Sequence, residues 1–232
     1  MIGWDICYTG SIERAVGTKS FRFDKPDELE FSPGQFAFFT IPAPTGERMR
    51  HHFTISASPT EPFVEFTTRM TGSPYKSVLE RMQPTCAVRM EGVAGRFTPD
   101  ESMSKVLFLA GGIGITPGRS SVRWAADTGS ELDIAVVYAN RDEEGIAFRE
   151  ELDELSGPRL KVVHVLEEPG EGWTGPAGRV SADIVREQVP DWAERHVFVS
   201  GPPAMVQAIE TMLKDEVGVS KDLLSVEHFT GY

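Results

Sequence analysis

The hydrophobic and polar positions of this chain fall into two textures. Up to about residue 100, short runs of aromatic and β-branched residues are separated by turns: FRFDKPDELEF, SPGQFAFFTIPAP, HHFTISASP and FVEFTTRM. Runs of this length and spacing predict an antiparallel barrel or sandwich. One helix is expected inside this half, from Ser73 or Pro74 through VLERM, since Ser suits the cap and Pro the first helical position. After Pro99-Asp100-Glu101-Ser102 the pattern changes. KVLFLA, ELDIAVVYAN, KVVHVL and HVFVSG read as strands, and TPGRSSVRWAADTG, EEGIAFREELDEL, SADIVREQV and PPAMVQAIETML as helices. Apolar strands alternating with helices predict a parallel sheet covered on both faces. Two domains are therefore expected, residues 1–101 and 102–232.

The run LFLAGGIGITPG, residues 107–118, ends abruptly in glycines. It is neither G-x-G-x-x-G nor a loop ending in G-K-[ST], which excludes two common phosphate cradles. A strand running into glycines and then a helix start nevertheless offers free backbone donors and a favourable dipole. In open α/β sheets ligands bind at the carboxyl ends of the strands. Gly111–Thr116 and Ser200-Gly201-Pro202-Pro203 are both expected at that edge, forming a cleft long enough for a phosphorylated cofactor.

Composition narrows the partners. The 232 residues carry 23 Lys+Arg against 35 Asp+Glu, a net charge of −12. Nucleic acid and anionic membranes reward basic surfaces, so neither is expected as the main partner. No apolar run reaches the ~18 residues of a membrane span. The N-terminal segment lacks a basic stretch followed by an apolar core, so no signal peptide is expected. Cys7 and Cys86 form no C-x-x-C pair, and a cytoplasmic protein without a metal site is expected.

Five motifs then occur in a telling order: Pro33-Gly34-Gln35-Phe36, Phe53-Thr54 within RHHFTIS, Gly72-Ser73-Pro74-Tyr75, GGIGITP at 111–117, and Ser200-Gly201-Pro202-Pro203. With the ending EHFTGY, the chain resembles the ferredoxin–NADP reductase superfamily of flavoproteins along essentially its whole length. The resemblance implies a six-stranded antiparallel flavin-binding β-barrel followed by a parallel-sheet NAD(P)-binding α/β domain. It implies FAD in the first, NADH or NADPH in the second, and electrons leaving to a separate acceptor such as a ferredoxin or an oxygenase component.

The same resemblance assigns roles. Phe53 would lie flat against the isoalloxazine and Thr54 would reach its reactive nitrogen. Taken alone, they are a core residue and an ordinary strand threonine. Where the family has arginine, this chain has His51, flanked by Arg50 and His52. Either Arg50 reaches in, or His51 grips more weakly and with pH dependence, or the motif is shifted by one residue. Thr68, Arg69, Met70, Gly72, Ser73, Pro74, Lys76 and Ser77 would hold the flavin's diphosphate side. Gly111, Gly112, Gly114, Thr116, Pro117, Gly201, Pro202 and Met205 would receive the pyridine nucleotide, with Arg141 on its adenosine side. Ser200, where many members have cysteine, would stand near the nicotinamide. Glu227 and Phe229 would lie by the flavin's other face, with Phe229 or Tyr232 covering it. Thr54, Ser200 and Glu227 are thus the candidate catalytic residues. Asp142, Glu143 and Glu144 after Arg141 would repel a 2′-phosphate, which favours NADH. Two alternatives remain: a flavin reductase that releases reduced flavin, and a non-catalytic electron-transfer subunit.

Overall fold

The computed structural model describes residues 2–43, 46–100 and 102–229. The first half contains β1 (Gly3–Ala15), β2 (Thr18–Asp24), β3 (Phe36–Pro42), β4 (Arg48–Thr54), β5 (Phe63–Arg69), α1 (Pro74–Glu80) and β6 (Ala87–Ala94). The strands form one antiparallel sheet in the order β4-β3-β6-β1-β2-β5. Its two edges approach each other where Ile55 bridges Phe66 and the Ser56 N–H donates to the Glu65 carbonyl at 2.7 Å. The sheet therefore curls around a core that includes Phe21, Phe23, Phe39 and Phe66. Ser73 caps α1 by accepting from the Lys76 N–H, and buried Tyr75 and Leu79 pin the helix to the barrel. This agrees with the expected helix start.

The longest strand, β1, was absent from the predicted runs. Its apolar residues alternate with polar ones along GWDICYTGSIERA, so no apolar cluster announces it. It pairs with β6 through Gly3–Cys7 and with β2 from Tyr8 onward, bending at a register shift near Gly10.

The second half contains β7 (Lys105–Gly111), α2 (Thr116–Thr128), β8 (Asp133–Asn140), α3 (Arg149–Leu155), β9 (Leu160–Leu166), α4 (Ala182–Gln188), β10 (His196–Gly201), α5 (Pro203–Met212) and β11 (Leu224–His228). They form a wholly parallel sheet, ordered β11-β10-β7-β8-β9. Alternate residues of β7 feed two cores. Val106, Phe108 and Ala110 face one side, while Leu107 and Leu109 face α5 on the other. The last strand of the first sheet ends at Ala94 and the first of the second begins at Lys105. The expected division at 101/102 involves Glu101, which lies outside the described residues.

One expectation is corrected. EEGIAFREELDEL is not one helix: a 3-10 turn at Glu143–Gly145 is followed by three buried residues, Ile146, Ala147 and Phe148, before α3 begins. Ile146 is extended at φ −76° and ψ 96°, and Phe148 is left-handed at φ +60°, so the chain leaves the helical path between the two pieces. The Ala147 N–H instead donates to the Tyr138 hydroxyl at 3.2 Å. The C-terminal segment supplies edge strand β11. Among the described residues no helix is long and apolar enough to cross a membrane.

Candidate cofactor site

Strand β4 sorts its side chains by alternation. His51 and Phe53 face α1, and Arg50, His52 and Thr54 face the other way. Phe53 stacks on Phe66 with ring centroids 4.3 Å apart and planes 7° from parallel, yet stays half-buried, so part of its surface is open. Thr54 is 6% exposed. His51 meets the Tyr75 ring edge-on at 4.5 Å. Burial lowers its pKa below 6.5, and the charges of His52 and Lys76 lower it further. Arg50 is ion-paired to Glu91 at 3.0 Å and lies 3.7 Å over the Phe38 ring. The structure thus places His51 beside α1 and does not bring Arg50 to that face.

Around the start of α1 the chain gathers cations and small residues. Arg69 ends β5 exposed to solvent, and Lys76 is buried on the first turn of α1. Burial lowers the Lys76 pKa, and the neighbouring Arg69 charge adds to it. Gly72 turns the chain with φ +70°. Ser77 donates to the Gly72 carbonyl. Thr68 is buried, and the Met70 N–H is taken by the Gly17 carbonyl. Pro74 opens the helix.

At the carboxyl edge of the second sheet the glycines serve different ends. A methyl group on Gly111 would meet the Met205 sulfur at 2.1 Å and Pro202 at 3.4 Å. One on Gly114 would meet the Ser200 carbonyl oxygen at 2.4 Å and Gly201 Cα at 2.7 Å. One on Gly201 would come within 3.2 Å of the Gly111 backbone. These three therefore let the ends of β7 and β10 touch. Gly112 is the one with open space before it, and its φ of +51° suits glycine. A 3-10 turn, Gly112–Ile115, leads into α2, where Thr116 Oγ1 donates to the Ile113 carbonyl and Pro117 sits in the first turn. The same 3-10 turn packs next to β5 of the barrel.

Ser200 is buried, and its hydroxyl donates to the Gly114 carbonyl at 2.7 Å. It is paired across the sheet with Glu227. Burial pushes the Glu227 carboxyl up to about 7, and its Oε2 is buried with no hydrogen-bond partner among the described residues. The Phe229 N–H donates to the Gly201 carbonyl, and Tyr232 lies outside the described residues. Arg141 is exposed and pairs with Glu168 at 3.0 Å.

Sequence reasoning missed two residues. Glu168 is 27 positions from Arg141, and no spacing rule links them. Asn140, at the end of β8, buries an Nδ2 with no partner among the described residues, yet in sequence it reads as a strand terminus. A concavity of about 430 Å³ lined by Val122, Leu132, Leu155 and Leu160 lies elsewhere, where β8 and β9 begin.

Comparison with known proteins fits this geometry. The model of the oxidoreductase NAD-binding domain family matches residues 108–211. The glycine betaine monooxygenase reductase subunit of Chromohalobacter salexigens is 32% identical over 209 residues, which cover 86% of this chain. The match covers only 56% of that relative's length, so this chain spans little more than half of it. Two solved structures share the fold. The ferredoxin reductase in carbazole 1,9a-dioxygenase has a TM-score of 0.81 at 19% identity, covering 99% of this chain and 70% of its own. A ferredoxin NADP+ reductase from Neisseria gonorrhoeae with bound FAD and NADP has a TM-score of 0.81 at 15% identity, covering 97% of this chain and 98% of its own. Ferredoxin–NADP reductase B of Sorangium cellulosum is 31% identical over 228 residues, 94% of this chain and 90% of its own length. With that near end-to-end match behind the five motifs and the paired sheets, the chain belongs to the ferredoxin–NADP reductase superfamily.

Proposed function

We propose that the chain is an NAD(P)H-dependent FAD reductase that passes electrons to a separate acceptor protein, such as a ferredoxin or an oxygenase component. The observation that carries this is the seam itself. The Gly112–Ile115 turn packs next to β5, whose Phe66 carries the Phe53 ring. The residues present fit the flavin: Arg69, Lys76 and His51 gather beside α1 in a chain of net charge −12, a donor set suited to a diphosphate. The unpartnered Glu227 Oε2 offers a polar group on the other side. The chemistry supplied by FAD is uptake of a hydride from the dihydronicotinamide, which ends oxidised, followed by release of the electrons to the acceptor.

This chain's own residues do the rest. Residues 1–101 hold the flavin and 102–232 the nucleotide. Phe53 gives the ring system an apolar wall, and Thr54 presents a hydroxyl from the adjacent strand position. Gly112 leaves room for the nucleotide beside Thr116, Pro117, Gly201, Pro202 and Met205. Glu227 holds a proton at pH values below about 7. NADH is the favoured donor, because Glu168 and the run Asp142, Glu143, Glu144 surround Arg141 with negative charge. Glu168→Gln is expected to raise the NADPH to NADH ratio of kcat/KM about fivefold, the size of one exposed ion pair.

One observation favours a second reading, a flavin reductase that releases reduced flavin. His51, uncharged at neutral pH, grips a phosphate less firmly than arginine would. Purified protein should be yellow, retain FAD through gel filtration, and bleach when mixed anaerobically with NADH. Flavin lost on the column but reduced in the mixture would select the second reading. A colourless chain that oxidises neither NADH nor NADPH with an artificial acceptor would leave a non-catalytic subunit.

A further inference from the structure

Helix α2 starts directly after the Gly112–Ile115 turn, and its first two turns reach into the barrel. The Arg119 Nη1 donates to the Ser56 carbonyl at 3.0 Å, and the Ser120 hydroxyl donates to the Ala57 carbonyl at 2.7 Å. Both residues are inaccessible to water, at 3% and 0% exposure. Ser56 and Ala57 stand two and three residues after Thr54, in the segment that turns from β4 toward β5. Ser56 is in turn held by Glu65 and Thr67.

The guanidinium ties further segments together. Arg119 pairs with Glu61, whose carboxylate also accepts from the Ser58 N–H at 2.6 Å, and with Glu151 of α3. One planar fork thus joins the flavin-side turn, α2 and α3. Lysine lacks the geometry to make these contacts at once. Pro117, two residues earlier, sits beside Gly34, where an added methyl would lie 3.6 Å from it. The connection is short on both sides, with one residue, Ile55, between the clamp and Thr54, and Arg119 four positions after Ile115.

We propose that Arg119 and Ser120 are positioning residues that hold the Gly112–Ile115 turn at a set distance from Thr54, and so fix the approach of nicotinamide to flavin. This rests on the reductase reading above. Both residues act through the backbone carbonyls of Ser56 and Ala57. A displacement of about 1 Å between reacting groups can slow a transfer on the order of 100-fold while leaving binding nearly intact.

The test uses the full chain loaded with FAD and mixed anaerobically with increasing NADH, with Ser120→Ala and Arg119→Lys compared to the parent. The expected result is a limiting rate of flavin reduction down about tenfold in Ser120→Ala and about 50-fold in Arg119→Lys. FAD content should be unchanged and the NADH dissociation constant within about threefold of the parent's. NADH deuterated at the transferred position should show a larger isotope effect in both variants. If Arg119→Lys does not fold, Ser120→Ala alone decides. Parent-like limiting rates would overturn the inference, as would equal losses of rate, NADH affinity and FAD content, which mark a merely structural role. A parent that takes up FAD but is reduced by neither nucleotide overturns the reductase reading and this inference with it, whereas equal rates in parent and variants overturn this inference alone.

Discussion

His51 shows how one side chain can set a binding property. Its folded pKa lies below 6.5 because burial, then His52 and Lys76, disfavour the charged ring. A bound diphosphate favours the charged form, so binding takes up a proton, and affinity for FAD should rise as pH falls from 8 to 6. His51→Arg is expected to flatten that dependence and tighten FAD about tenfold at pH 8, as measured by fluorescence titration. Glu227 makes a second prediction. A carboxyl with a folded pKa of about 7 holds its proton where the unfolded chain has released it. Stability is therefore full below about pH 4.5 and declines as pH rises to 7, by at most roughly 3 kcal/mol. Glu227→Gln should remove that slope in urea unfolding at pH 5 and pH 8. Unchanged slopes would show that the carboxyl is solvated. Phe53, Thr54 and Glu227 were legible in the sequence as candidates because motif order flagged them. Which way Arg50 and His51 face was not, since it depends on the register of β4 against β3.

Among elements, the glycine loop is the most informative. Gly114 faces backbone of the neighbouring strand end, which cannot yield, whereas Gly111 faces the flexible end of Met205. Gly114→Ala should therefore cost about 3 kcal/mol. Gly111→Ala should cost less, and Met205→Ala in the same chain should recover most of the loss, a non-additivity that thermal melts of the double variant would reveal. The apolar runs at 105–110 and 196–201 were readable because strands buried on both faces leave uninterrupted hydrophobic stretches. β1 and β11 were not, because half-exposed strands carry polar residues between their buried ones. The helix proposed over 143–155 failed for a tertiary reason: Ile146, Ala147 and Phe148 are drawn together under the sheet, with Phe148 at φ +60°.

At the scale of the molecule, the two sheets meet through buried charge as well as apolar contact. Arg119 of α2, inaccessible to water, pairs with Glu61 of the first half, its Nη2 donating to Oε1 at 2.9 Å. Arg14 lies over the Phe148 ring of the second half at 4.7 Å, and the Val16 N–H donates to the Glu144 carbonyl. Severing a buried pair by removing one partner typically costs about 3–5 kcal/mol. The halves should therefore unfold together. Trp4 lies in the barrel, and Trp124, Trp173 and Trp192 in the α/β half. Fluorescence of a Trp4→Phe variant, which reports only the second half, should track far-UV circular dichroism of the whole chain through one transition. Two separated midpoints would show that the interface does not couple them.

Local patterning was enough to reveal the order of most elements and the parallel character of the second sheet, and it marked the glycine loops at the carboxyl ends of β7 and β10. Those features follow from periodicity and from backbone conformations that only certain residues adopt, and both are written in neighbouring positions. The facing of β4, the partnering of Arg141 with Glu168, the unpaired carboxyl of Glu227 and the grip of α2 on Ser56 and Ala57 join residues far apart in the chain. No local signal encodes such meetings, because they arise only when strands and helices distant in the chain pack against one another.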